Sequence, residues 1–272
     1  MKLSDIYEIL DKIAPKVLSD EYCRNYGAYD NSGLLVEAGE EIDGILFSLD
    51  LTNTAIDEAI EKGCNLIVTH HPMIFGKIDH ICLSDQKLLG GKLVKCLQNG
   101  ISVVSMHLNL DMAKGGIDES LMEGISRAAD QTAGAGTSSI SIMHPVGESG
   151  YGRSYDIKAV ALGVLKENIK KVFTTDRVLV YGDENKGIHR VASFCGAGGD
   201  EQAVLFAKKN GADVIVSADF KHHVITFAME SGLSVIALTH YASENYGFKN
   251  YYEKIRQEVK IPCVFHTDEN LL

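Results

Sequence analysis

The residues best suited to chemistry stand at the ends of apolar runs. His70 and His71 directly follow Leu66, Ile67, Val68 and Thr69 and precede Pro72. Neutral imidazole is the commonest metal ligand among side chains, and the proline fixes its own φ and holds His71 extended, so the pair leaves the run in a restricted geometry. In a strict strand the two side chains would point to opposite faces, which serves two ions, or one ion if the chain turns at His70. The arrangement recurs. ISVVS (101–105) runs into His107 and Asp111, ADVIVSAD (212–219) into Lys221, His222 and His223, and SVIALT (234–239) into His240 and Glu244. If that last segment is helical, His240 and Glu244 are four apart and share a face, as ligands to one ion must.

Collected, these ends supply His70, His71, His107, Asp111, Asp219, His223, His240 and Glu244. Imidazole mixed with carboxylate suits Zn, Mn, Fe, Co or Ni rather than Ca or Mg alone. Such a set can hold two ions if a carboxylate or water bridges them, with positions left for substrate and for a nucleophilic water. The plain alternative, polar residues that merely face solvent, would require the same coincidence at four separated runs. Spacing alone does not separate ligands from neighbours among these eight.

The elements that must carry these residues read as alternating strands and helices. Leu3, Ile6, Leu10 and Ile13 recur at helical spacing behind Ser4, and the helix is expected to end near Pro15. GILFS (44–48) is a strand running into Asp50 and Thr52, and 54–62 a helix with Ala55, Ile56, Ala59 and Ile60 inward. After the two histidines comes a loop with Lys77, Asp79 and His80, placed to close over a site, and a helix over 85–98 that Asn99-Gly100 ends. Ile117, Leu121 and Ile125 mark another helix. GAYDNSGL (27–34) is a turn, structural or functional, and the CGAGGD turn (195–200) either presents backbone amides to an anion or is a tight structural turn, since it lacks the spacing of a dinucleotide fingerprint. Strands are expected at 177–181 and 189–195. QTAGAGTSS (131–139), small and Gly-bearing, is the best junction, dividing an N-terminal α/β lobe (1–130) from a C-terminal one (131–272) whose last segment packs back on the first.

Length and composition fit this reading. The 272 residues are 45% hydrophobic and 23% charged, enough for two cores, and 26 Lys and Arg against 37 Asp and Glu give a net charge of -11. That charge argues against nucleic acid as a partner. Six cysteines without a CxxC pair read as reduced thiols of a cytoplasmic protein. The first residues carry acids within the apolar pattern, unlike a leader or anchor, and no run reaches the roughly 18 apolar residues of a membrane span.

YDNSGL (29–34), the VTHHP and IF pieces of 68–75, MHLNLD (106–111), CGAGGD (195–200), SADFKHH (217–223) and THYASE (239–244) together resemble the NIF3 family, also called the GTP cyclohydrolase I type 2 family. The resemblance implies an α/β, NIF3-like fold of two lobes, with a dinuclear metal site at the strand C-terminal ends between them. It implies two divalent transition-metal ions (Zn, Fe, Mn, Co or Ni) held by His70, His71, Asp111, His240 and Glu244, and assembly as a toroidal homohexamer. His107, Asp219 and His223 fall to supporting or substrate-facing roles, with His107 and His223 as candidates for proton transfer. Tyr29 stands where many relatives have Trp, and Ala197 interrupts a Gly pair; neither touches an implied ligand. The activity implied is metal-dependent hydrolysis, with GTP ring opening by attack of an activated water on the guanine ring as the named candidate. Phosphoester hydrolysis at the same ions, or a metal-binding interaction protein without turnover, are the alternatives.

Overall fold

The computed structural model describes residues 1–78, 81, 87–130 and 138–272. Asp79 and His80 of the expected closing loop, the start of the helix expected from 85, and residues 131–137 of the expected junction therefore lie outside the described residues.

Helix α1 (Leu3–Ile13) buries Leu3, Ile6 and Leu10, the stripe its spacing predicts. Pro15, expected to stop a helix, is also the N-cap of the next one, α2 (Lys16–Tyr26), where a residue without an N–H costs little. Then come β1 (Gly33–Val36), β2 (Ile45–Ser48), α3 (Asn53–Lys62), β3 (Leu66–Thr69), α4 (Leu89–Gln98), β4 (Ser102–Ser105) and α5 (Leu108–Met112). Thr52 caps α3 by accepting the Ala55 N–H, and Gly63 ends it at φ 69°. The chain continues through α6 (Ile117–Ala129), β5 (Ser138–Val146), β6 (Ser149–Ala161), α7 (Leu162–Val172), β7 (Leu179–Tyr181), β8 (Gly187–Ser193), α8 (Glu201–Lys209), β9 (Val214–Ala218), α9 (His222–Glu230), β10 (Ser234–Leu238), α10 (His240–Glu258) and β11 (Cys263–Phe265).

Contacts divide the chain into two compact units, Met1–Ala113 with Phe248–Thr267, and Lys114–Gly247 with Asp268–Leu272. Helix α6 belongs to the second, where it packs on α7 and β6.

The first unit holds a five-stranded sheet in the order β1-β4-β3-β2-β11. β11, β2, β3 and β4 run parallel, and β1 closes one edge antiparallel to β4. Every residue of β2, β3 and β4 is buried, which is why these strands read as largely apolar runs ending in polar residues: a parallel sheet is covered on both faces and meets ligands only at its strand ends. Leu46, Ile67 and Val103 pack with Ile56 and Ala59 of α3 and Leu93 and Cys96 of α4. The Phe47 ring lies 6.2, 6.4 and 5.4 Å from those of Phe248, Tyr251 and Tyr252 on α10, and the Tyr251 hydroxyl donates to the Leu10 carbonyl at 3.2 Å.

The second unit holds a six-stranded sheet, β5-β6-β8-β9-β10-β7, in which β8, β9 and β10 are parallel and the remaining pairs antiparallel. Ala192, Ile215 and Val235 pack against Ala203, Val204 and Ala207 of α8 and Val224 and Ala228 of α9. Arg153 on β6 and Asp118 on α6, 2% and 0% exposed, form a buried ion pair. Asp118 also accepts the Gly152 N–H at 3.0 Å and the Cys195 N–H at 3.2 Å, and Arg153 donates to Ser149 Oγ at 2.7 Å. Burial pushes the Asp118 carboxyl up, opposed by the guanidinium and the two amides. Among the described residues no helix is long and apolar enough to cross a membrane.

Candidate metal centre

Strand pairing stops at Thr69. His70 and His71 therefore follow the strand rather than alternate within it, and their ring centroids lie 4.9 Å apart. His70 is fully buried, with Nδ1 2.7 Å from the Met106 carbonyl. A carbonyl only accepts, so in the neutral ring Nδ1 carries the hydrogen and Nε2 keeps its lone pair, 3.5 Å from Asp111 Oδ1. His71 repeats the pattern with Nδ1 2.8 Å from Asp50 Oδ1, and His107 with Nδ1 2.7 Å from Asp30 Oδ1. His107 follows β4, and its ring centroid is 5.2 Å from that of His70 and 5.8 Å from that of His71. One ligand atom from each of the three imidazoles lies within 4.8 Å of the others. Asp111 reaches His70 because the chain turns into α5 directly after β4.

The YDNSGL segment explains itself here as a brace. Asp30, with 1% of its side chain exposed, accepts from Ser19 Oγ at 2.6 Å and Ser32 Oγ at 2.5 Å as well as facing His107. Ser32 Oγ accepts the His107 N–H at 3.1 Å, and Asn31 Nδ2 donates to the Ile74 carbonyl at 2.6 Å. Burial opposes ionisation of Asp30, yet the hydrogen bonds from His107, Ser19 and Ser32 outweigh it and hold the carboxyl well below the usual carboxylate range. A folded value below the unfolded one means that the carboxylate stabilises the fold fully above about pH 4 and that this is lost as pH falls further. Asp30→Asn should therefore cost about 1.5–3 kcal/mol at pH 7, as for a lost charge-assisted hydrogen bond, and the gap to wild type in urea melts should narrow steadily below pH 4. A gap that is constant with pH would contradict this.

In the second unit His240 opens α10, with Nδ1 2.6 Å from Asp219 Oδ2 and Nε2 3.2 Å from Glu244 Oε2. The helix delivers that last contact, since residues four apart share a face. Asp219 sits at φ 50°, a left-handed conformation that a non-glycine residue rarely adopts, just past β9. Glu244 is 3% exposed, and the CGAGGD turn backs it: Gly196 has φ 55°, and a Cβ there would fall 2.2 Å from Glu244 Oε1. The Gly196 N–H donates to Ser243 Oγ at 3.1 Å, and Asp200 caps α8 by accepting from Ala203 at 2.8 Å. Of the two readings of this turn, the tight structural one describes these contacts. Gly196→Ala should displace the Glu244 carboxylate, lower stability by about 1–3 kcal/mol and weaken metal uptake together; zinc titration and urea melts that both match wild type would refute this.

Within each unit, then, the predicted residues gather unevenly. His70, His71, His107 and Asp111 come together in the first, and His240 and Glu244 with Asp219 in the second. His223, on the first turn of α9, has 63% of its side chain exposed and pairs through Nε2 with Glu201 at 2.8 Å. The sequence alone assigns no role to the orienting carboxylates Asp30 and Asp50; Asp219 is among its eight strand-end candidates, and the resemblance gives it a supporting role. Their one signal was position in a turn or at a strand end. Imidazoles whose Nδ1 is fixed by a carboxylate or carbonyl, with carboxylates near their Nε2, are a donor set that fits divalent transition ions.

Two α/β units with such donors beyond their parallel strands define a candidate metalloprotein. The family described as Duf34/NIF3 (NGG1p interacting factor 3) matches residues 1–270, and the chain belongs to it. It is 34% identical over 250 residues to a protein of Clostridium acetobutylicum named GTP cyclohydrolase 1 type 2 homolog, covering 90% of this chain and 85% of that one. It is 33% identical to one of the same name from Clostridium perfringens, covering 95% and 93%. Among solved structures it is similar to a Staphylococcus aureus hypothetical protein, with 25% identity, TM-score 0.81 and coverage of 98% and 97%.

Proposed function

We propose that the protein is a dinuclear metal-dependent hydrolase, with GTP as the candidate substrate and opening of the guanine ring as the candidate reaction. His70, His71, Asp111, His240 and Glu244 would hold two ions. The observation that carries this reading is the fixing of Nδ1 in His70, His71 and His240 by an acceptor, Met106 O, Asp50 and Asp219 respectively, with Nε2 of His70 and of His240 facing the Asp111 and Glu244 carboxylates at 3.5 and 3.2 Å, as donors gathered around an ion do. Bound ions would supply Lewis acidity and lower the pKa of water toward neutrality. His107, whose Nδ1 is held by Asp30, presents Nε2 to accept a proton from a reacting water and return it to a departing ring nitrogen. His223 is proposed as a second, substrate-facing proton carrier. The names of the two clostridial relatives support GTP as the first substrate to try.

Metal analysis followed by a panel of GTP and bis(p-nitrophenyl) phosphate tests the reading. About two ions per chain and metal-dependent loss of GTP absorbance are expected. Loaded protein that cleaves only the phosphodiester would replace ring opening by phosphoester hydrolysis, and at most one ion per chain would remove the dinuclear site. We also propose a toroidal homohexamer, for which light scattering should give six times the chain mass.

A further inference from the structure

Tyr29 and Phe75 are the two most exposed aromatic side chains among the described residues, 59% and 53%, and they lie against each other. Their ring centroids are 5.3 Å apart at 67°, and Phe75 in turn meets the His107 ring at 5.8 Å and 83°. The three rings thus form stepped corners that end at the imidazole cluster. Their placement is built rather than incidental: Asn31 holds the carbonyl of Ile74, next to Phe75, and Asp30, next to Tyr29, holds His107. Exposed aromatics usually occur singly, and a rigidly held pair beside candidate ligands leaves apolar π-surface where a substrate would enter.

We propose that Tyr29 and Phe75 form a stacking subsite for a planar heteroaromatic ring, which sets the substrate class as one with a base-like ring presented to the His70, His71 and His107 cluster. Aromatic faces take flat nitrogenous rings well, because dispersion and quadrupole complementarity favour offset stacking and any such ring has a π-face. The phosphate-bearing part of a nucleotide gains nothing from this corner, so the ring and not the phosphate would be the end held here. This rests on the reading of the cluster as a substrate site, and it deepens that reading by assigning orientation.

The chain has no tryptophan, so Tyr29→Trp creates a single fluorescent reporter at the corner. With metal-loaded protein, GTP and guanosine should quench it saturably, and sodium tripolyphosphate should not. Phe75→Leu in the same background, which keeps an apolar side chain but loses the ring, should weaken guanosine binding about 5- to 100-fold. Quenching without any GTP turnover would support the subsite while sinking the hydrolase reading; turnover without quenching would do the reverse. The subsite is also overturned if tripolyphosphate quenches as well as guanosine, if Phe75→Leu leaves guanosine affinity unchanged, or if that variant alters the oligomeric mass and not the quenching.

Discussion

Asp111→Asn and Glu244→Gln are each expected to purify nearly free of metal, with affinity down by more than about 100-fold, because a neutral amide loses both the anion and the strong ligand oxygen. Both carboxylates are almost fully buried, 4% and 3% exposed, so solvent has little access to replace them as donors. Activity should vanish with the metal. His107→Asn and His223→Asn provide the contrast: turnover lower by about 10²- to 10⁴-fold for a lost proton carrier, with metal affinity lower by at most about 10- to 100-fold. His107 is the more demanding comparison, since its ligand atom lies within 4.8 Å of those of His70 and His71. If His107→Asn loses metal as completely as Asp111→Asn, His107 is itself a ligand. If His223→Asn keeps full activity, its proposed role falls and the exposed pair with Glu201 is all that it does. Metal content by plasma emission and affinity by calorimetry decide among these outcomes.

Arg153→Met should be the most destabilising single substitution described here, costing about 3–5 kcal/mol in urea melts. The loss comes less from the missing attraction than from what remains, an Asp118 carboxylate without solvent or counter-ion. Since burial already pushes this carboxyl up, removing the guanidinium raises it further. The folded variant then takes up a proton more readily than its unfolded chain, and its penalty should be smaller near pH 4 than at pH 7. Asp118→Asn with Arg153→Met should recover part of the loss, as the amide oxygen can still accept from Gly152 or Cys195. A single variant within about 1 kcal/mol of wild type would show that the pair contributes little.

The parallel strands were legible because burial on both faces leaves a mostly apolar run, as in Leu66–Thr69 or Val214–Ala218, with polar residues directly after it. The β5–β6 hairpin was not. β6 carries Arg153, Asp156 and Lys158 behind two glycines, Gly150 and Gly152, and its most buried charge faces inward only because Asp118, 35 residues earlier, is there to meet it. Helix α2 escaped notice for a different reason: Ser19 is its one fully buried residue, so it has no apolar stripe to read. At the site, histidines announce themselves by type, whereas the acids that orient them do not. Asp30 and His107 are 77 residues apart, and Asp50 and His71 are 21 apart; no spacing rule links residues joined only through the order of strands in a sheet.

The first unit takes its last strand, β11, and the aromatic cover of Phe47 from residues Phe248 onward. At ribosomal rates of roughly 5–20 residues per second, those pieces are synthesised on the order of ten seconds after Ala113. During that interval the nascent β2 has an unpaired edge and an uncovered phenylalanine, the kind of surface to which holding chaperones bind. Folding of this unit is therefore complete only once the distal helix and strand dock.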